Sequence, residues 1–199
     1  VTVPEHAYGA MLAQFGCTLK EASADNHDSA HVEYMTHSSL PVVSFDRVKD
    51  DYIKGLHAMK NPKSCDALYL SPQKDFFLIE FKNGVIGFPK NNDVKLKVYD
   101  SLLILLDKLG KTIGFSRTGI ELILVYNENV THPPNQFDDA VTAYSRSLDK
   151  IRKKVSRLAK SRLVHFGLYR YQNLYFREVY TYNKAEFQAE FVAKYDTGS

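Results

Sequence analysis

Asp75-Phe76-Phe77-Leu78-Ile79-Glu80-Phe81-Lys82 is the stretch on which the reading of the fold turns. It is rich in strand formers and is closed by Asn83-Gly84, a turn-forming pair. Side chains alternate along a strand. Phe77, Ile79 and Phe81 therefore share one face, and Leu78, Glu80 and Lys82 the other. A carboxylate and an ammonium thus neighbour each other on one face of an otherwise apolar strand. Upstream, Asp66-Ala67-Leu68-Tyr69-Leu70 reads as a second strand, with Ser71-Pro72-Gln73-Lys74 as the turn between them. The two strands are expected to pair as a hairpin, which sets Asp66 beside Glu80 although thirteen residues separate them in sequence.

Two carboxylates converging beside a lysine form a hard-oxygen site suited to Mg2+ or Mn2+. Such an ion lowers the pKa of bound water and stabilises charge on a phosphoryl oxygen. Lys82 would orient the attacking water or steady developing negative charge. The backbone carbonyl of Phe81 is a further candidate ligand.

The rest of the chain supplies the frame. Residues 6–23 have helical spacing, with Tyr8, Met11, Leu12, Phe15 and Leu19 on one stripe. Residues 24–41 are polar and mixed and read as a loop that could hold a short element. Residues 45–59 predict a helix that stops before Asn61-Pro62. Residues 93–109 predict a strongly apolar, buried helix closed by Gly110. Residues 120–126 (Ile-Glu-Leu-Ile-Leu-Val-Tyr) predict a central strand. A long helix over 137–160, strands over 163–169 and 174–182, and a terminal helix over 184–195 complete the expectation. This order is α/β, with a mixed central sheet flanked by helices and helical additions at both ends. The 199 residues fit one domain.

Pro62-Lys63-Ser64-Cys65-Asp66, followed by Ile79-Glu80-Phe81-Lys82, resembles the P-D…(D/E)-x-K signature of the restriction-endonuclease-like nuclease superfamily. There the signature lies on a hairpin followed by a helix and a further strand, as predicted here over about residues 45–127. The spacing departs from the pattern in one respect, because Pro62 is not adjacent to Asp66. The resemblance implies that Asp66 and Glu80 are metal ligands and Lys82 the catalytic lysine. It also implies an extra acid from the preceding helix, for which Glu33, Asp46, Asp50 and Asp51 compete. Asp51 is the choice, since it lies on the helix leading into the hairpin. Lys95 and Lys97 begin the next helix, where members place a basic or polar residue facing the site. The implied activity is Mg-dependent hydrolysis of a phosphodiester, with DNA a better expectation than RNA. Restriction, defence or toxin action fits so small a domain. The alternative is an inactive nuclease-like domain that binds nucleic acid or a protein partner. The plain structural alternative is an edge strand whose charges are solvated.

Charge offers a second clue. Lys plus Arg exceeds Asp plus Glu by 26 to 23, a mild basic excess. The predicted helix over 137–160 carries Arg146, Lys150, Lys153 and Arg157 opposite its apolar stripe. They read either as a phosphate-contacting rail or as a solvated outer face. The apolar stripe would serve the helix's own core or a partner helix in a homodimer. His31-Val32-Glu33 lacks the P-C-x-x-C that a zinc deaminase needs. No phosphate loop, nucleophile elbow or dinucleotide fingerprint occurs. Cys17 and Cys65 show no pairing pattern. With no apolar run of membrane-spanning length and no leader-like start, a cytoplasmic setting without membrane partners is the expectation.

Overall fold

Strand alternation organises the molecule, a computed structural model that describes residues 2–25, 32–57, 59–86, 91–131 and 164–196. Its strands are β1 (Gly16–Thr18), β2 (Ala24–Asp25), β3 (Glu33–Tyr34), β4 (Pro41–Ser44), β5 (Ala67–Leu70), β6 (Phe76–Lys82), β7 (Ile120–Tyr126) and β8 (Glu178–Asn183). Six of them form one mixed sheet in the order β1-β4-β5-β6-β7-β8, while β2 and β3 pair separately. The pairs from β1 to β6 are antiparallel, and β6/β7 and β7/β8 are parallel. The strand that carries Glu80 therefore has a hairpin partner on one side and a crossover partner on the other.

The helices are α1 (Val3–Phe15), α2 (Leu19–Ala22), α3 (Phe45–Tyr52), α4 (Asn91–Leu109) and α5 (Ile113–Gly119). After β8 the chain forms α6 (Lys184–Phe187), a π-turn over Gln188–Val192 and α7 (Ala193–Tyr195). One face of the sheet presents Leu68, Phe76, Leu78, Leu122 and Leu124 to α1, α3 and α4. The opposite face presents Tyr69, Phe77, Ile79, Phe81 and Ile123 to Phe187, Phe191 and Val192. Phe187 and Phe191 stack with centroids 5.1 Å apart, and Phe191 meets Phe77 edge-on at 5.2 Å. Each such ring, fully buried, contributes about 1.5–3 kcal/mol. The split of β6 into an aromatic face and a Leu78/Glu80/Lys82 face is the one its alternation predicts.

Helix α4 is the crossover between the parallel strands. Val94, Val98, Ser101, Leu102, Leu105 and Leu109 are buried, whereas Leu103 stays 66% exposed. Gly110 closes the helix at φ +61°, with Lys111 N donating to Leu106 O at 2.8 Å. That is the Schellman arrangement, for which a glycine is favoured.

Several expectations are corrected. The helix expected over 6–23 breaks at Phe15. Gly16 is extended there, and a Cβ on it would lie 2.5 Å from Leu12 O. Thr18 then caps the short α2 by a capping box with Glu21. The end of the predicted 24–41 loop runs into a strand, β4, because Val42 and Val43 find core on opposite faces. The helix expected over 45–59 ends at Tyr52. No strand occupies the described part of 163–169. Phe166 and Gly167 both take left-handed φ, at 59° and 70°, which no strand accommodates, and a 3-10 turn follows over Leu168–Tyr171. The strand expected from 174 starts at Glu178. The helix expected over 137–160, with Arg146, Lys150, Lys153 and Arg157, lies outside the described residues. Among the described residues no helix is long and apolar enough to cross a membrane.

Candidate functional site

The β5/β6 register pairs Ala67 with Ile79, so one step further Asp66 stands opposite Glu80. Asp66 N donates to Ile79 O at 3.0 Å, and Phe81 N donates to Asp66 Oδ2 at 2.6 Å. The aspartate side chain thus extends the ladder where β5 has ended. It holds its carboxylate on the α4 side of the sheet, the side on which Glu80 lies.

Lys97 completes the group. From α4, its Nζ reaches Glu80 Oε2 at 3.0 Å and Asp66 Oδ1 at 3.3 Å. Glu80 Oε1 lies 2.8 Å from the same Nζ but makes no directed hydrogen bond. The Glu80 side chain is 1% exposed, against 17% for Asp66 and 30% for Lys97. Burial pushes the Glu80 carboxyl well above its ordinary value, and the neighbouring Asp66 pushes it further, against the pull of Lys97. Burial also raises Asp66, against Lys97 and the Phe81 N–H. For Lys97 burial works to lower the ammonium, but Glu80 and Asp66 outweigh it and hold it charged. Two carboxyl groups thus share one ammonium.

Segment 63–65 ties this cluster to α4. Lys63 N donates to Asp100 Oδ2 at 2.8 Å, Lys63 Nζ pairs with Asp93 Oδ1 at 2.7 Å, and Cys65 N donates to Ser101 Oγ at 2.7 Å. The face of α4 that bears Lys97 is thereby set over the hairpin. A cavity of about 300 Å3 opens beside the cluster, lined in part by Asp66, Phe81, Lys82, Asn83 and Lys97.

The residues expected at the site divide clearly. Asp66, Glu80 and Lys97 are in contact. Lys82 shares their face and lines the cavity, and its charge acts on Glu80. The Phe81 ring packs on the far face, while its N–H holds Asp66. Lys95 does not line the cavity. Asp51 is not brought to Asp66. It pairs with Lys108 and Lys54 at 3.3 and 3.6 Å, further along α3. The α3 acid whose charge reaches Asp66 is Asp46, which accepts a hydrogen bond from Ser64 Oγ. Nothing in the sequence separates Asp46 from Asp51, since both lie on the same short helix. Lys97 did leave a signal, because it interrupts the buried stripe of Val94, Val98 and Ser101.

Asp66 and Glu80 are oxygen donors suited to a divalent cation, and the ammonium between them marks the point where positive charge is favoured. Among the described residues no cluster of three or more His, Cys, Asp or Glu side chains converges. The carboxyl groups that could hold a metal there are Asp66 and Glu80. No protein-family model matches the chain, and neither a curated protein nor a solved structure is significantly similar to it.

Proposed function

We propose that the chain is a metal-dependent nuclease with a restriction-endonuclease-like core, hydrolysing phosphodiester bonds, with DNA the favoured substrate. The observation that carries this reading is the facing pair Asp66 and Glu80 on a hairpin, with Lys97 and Lys82 on the same side and a cavity beside them. Asp66 and Glu80 would hold Mg2+ or Mn2+. When bound, such an ion supplies an activated water and charge neutralisation at a phosphoryl oxygen. Lys97 gives up part of its hold on the carboxylates and offers its ammonium to a phosphate oxygen. Lys82, at the cavity wall, offers a second cation to the same charge. The Phe81 N–H keeps Asp66 aimed, and the buried setting of Glu80 excludes bulk water from its side of the site.

A second reading rests on Lys97 itself. An ammonium that already neutralises the two carboxylates fits an inactive scaffold of the same architecture, one that binds nucleic acid or protein. Metal-dependent cleavage of plasmid and single-stranded nucleic acid separates the two readings. Wild type should cut with Mg2+ or Mn2+, and Glu80→Gln and Lys82→Ala should lose cutting while remaining folded. Full activity in both variants overturns the site. Absence of both cutting and calorimetric metal binding in the wild type overturns the catalytic reading and leaves the scaffold ahead.

A further inference from the structure

Beside Asn83, at the carboxyl ends of β6 and β7, lies a second and larger groove with a volume of about 810 Å3. Asp25 and Asn83 line both spaces, so the two are neighbours. The smaller space suits a phosphate and its waters. The larger one is of a size to bury a whole nucleotide.

The chemistry of the groove is that of a base, not of a phosphate rail. Its wall carries an amide chain: Asn127 Nδ2 donates to Asn83 Oδ1 at 2.7 Å, and Asn83 Nδ2 donates to Glu33 Oε2 at 2.8 Å. Asn129 stands beside them, its N–H bonded to Asn127 Oδ1 at 3.0 Å. Amides present donors and acceptors side by side, the pattern that base edges match. Glu33 and Asp25 add carboxylate acceptors for base N–H groups to the lining. Tyr34 and His37 line the groove from the β3 side with centroids 6.1 Å apart, and Lys20 Nζ lies over the Tyr34 ring at 4.8 Å. Among the described residues that line the groove, Lys184 is the lysine.

We infer that this groove seats an unpaired base next to the phosphate handled at Asp66, Glu80 and Lys97, so that the substrate is a single strand rather than an intact duplex. A paired base keeps its faces stacked and its Watson–Crick edge occupied, so no ring stacks on it and an amide reaches only its groove edges. An unpaired base offers both. The assignment deepens the nuclease reading and rests on it only for the fate of the phosphate.

The test is fluorescence anisotropy with a labelled mixed-sequence single strand and a blunt duplex of the same length, in EDTA, with wild type, Tyr34→Ala, Asn129→Ala and Leu103→Ser. The single strand should bind at least about tenfold more tightly than the duplex. Tyr34→Ala and Asn129→Ala should each weaken single-strand binding about fivefold or more, while Leu103→Ser on the outer face of α4 binds as wild type. Equal binding of strand and duplex, or unchanged binding by both groove variants, overturns the inference. A mononucleotide that competes as well as the strand overturns it in favour of a free-nucleotide site. The nuclease reading fails separately: strand-selective, Tyr34-dependent binding without any metal-dependent cutting removes the catalysis and keeps the groove. Cutting of duplex and strand at equal kcat/KM, unaltered in Tyr34→Ala, removes the groove and keeps the catalysis.

Discussion

The Asp66 carboxylate accepts the Phe81 backbone N–H at 2.6 Å, so a side chain takes the place of a backbone acceptor at the end of the β5/β6 ladder. The same residue serves the sheet and the site. Asp66→Asn keeps an acceptor oxygen and removes the charge, whereas Asp66→Ala strands the Phe81 N–H. Urea unfolding should show a loss of about 1 kcal/mol or less for Asn and about 2 kcal/mol for Ala. Equal losses would mean that the hydrogen bond carries no weight.

Lys97→Ala leaves Glu80 and Asp66 facing each other without a counter-charge. Removing one partner of a buried pair costs about 3–5 kcal/mol, and the 30% exposure of Lys97 lowers the expectation to about 2 kcal/mol. Adding Glu80→Gln should restore most of the loss. Millimolar Mn2+ should raise the Tm of Lys97→Ala more than that of wild type, because the freed carboxylates then take the ion. No Mn2+ effect on the variant would argue that the pair does not hold metal.

The pH dependence follows from Glu80. Burial first, then Asp66, raises its carboxyl well above its ordinary value. The folded chain keeps this proton at pH values where the unfolded chain has released it. Its contribution to stability is therefore full below about 4.5 and is lost as pH rises through the folded value. Glu80→Gln has no such proton, so its Tm relative to wild type should climb between about pH 4 and pH 8. A flat difference would show that Lys97 fully compensates the buried charge.

At the opposite end of the parallel strands, Arg177 Nη1 pairs with Asp75 Oδ1 at 2.7 Å, and its Nη2 and Nε bind Glu121, which is buried on β7. Arg177→Met should cost about 2–3 kcal/mol by stranding Glu121. Asp75→Ala should cost less, about 1 kcal/mol. Neither should change metal or nucleic-acid binding. An equal response in binding would couple the two ends of the sheet.

Gly16 is required by contact, not by a left-handed φ. Gly16→Ala places a Cβ against the Leu12 carbonyl and should destabilise by about 1–3 kcal/mol in thermal unfolding. A neutral result would mean that the end of α1 relaxes freely.

The hairpin, the following helix and the central strand were legible because each carried a strong local pattern: alternation in 76–82, a buried stripe ended by glycine in 91–109, continuous apolarity in 120–126. β4 was hidden because Val42 and Val43 form too short a run to show a period. Phe166-Gly167 defeated the strand reading because tertiary packing of Phe166 fixes a backbone that aromatic composition argues against. At the site, Asp66 and Glu80 followed from alternation and turn length alone. The contact of Lys97 depends on the rotation of α4, which segment 63–65 fixes through Asp93, Asp100 and Ser101. The choice between Asp46 and Asp51 depends on the pitch of a short helix against its neighbours.

The two pairings of β6 also have a kinetic meaning. β5 joins it through a tight turn, whereas β7 joins it only after α4 and α5 have crossed over. Closing a short loop is fast and entropically cheap, and closing a long one is slow. Asp66 and Glu80 are thus brought face to face by a local event, and Lys97 arrives with the long-range one. Between the two, the nascent hairpin bears a like-charge pair with no counter-charge, so docking of α4 is what turns an electrostatic burden on the folding chain into a bound cluster.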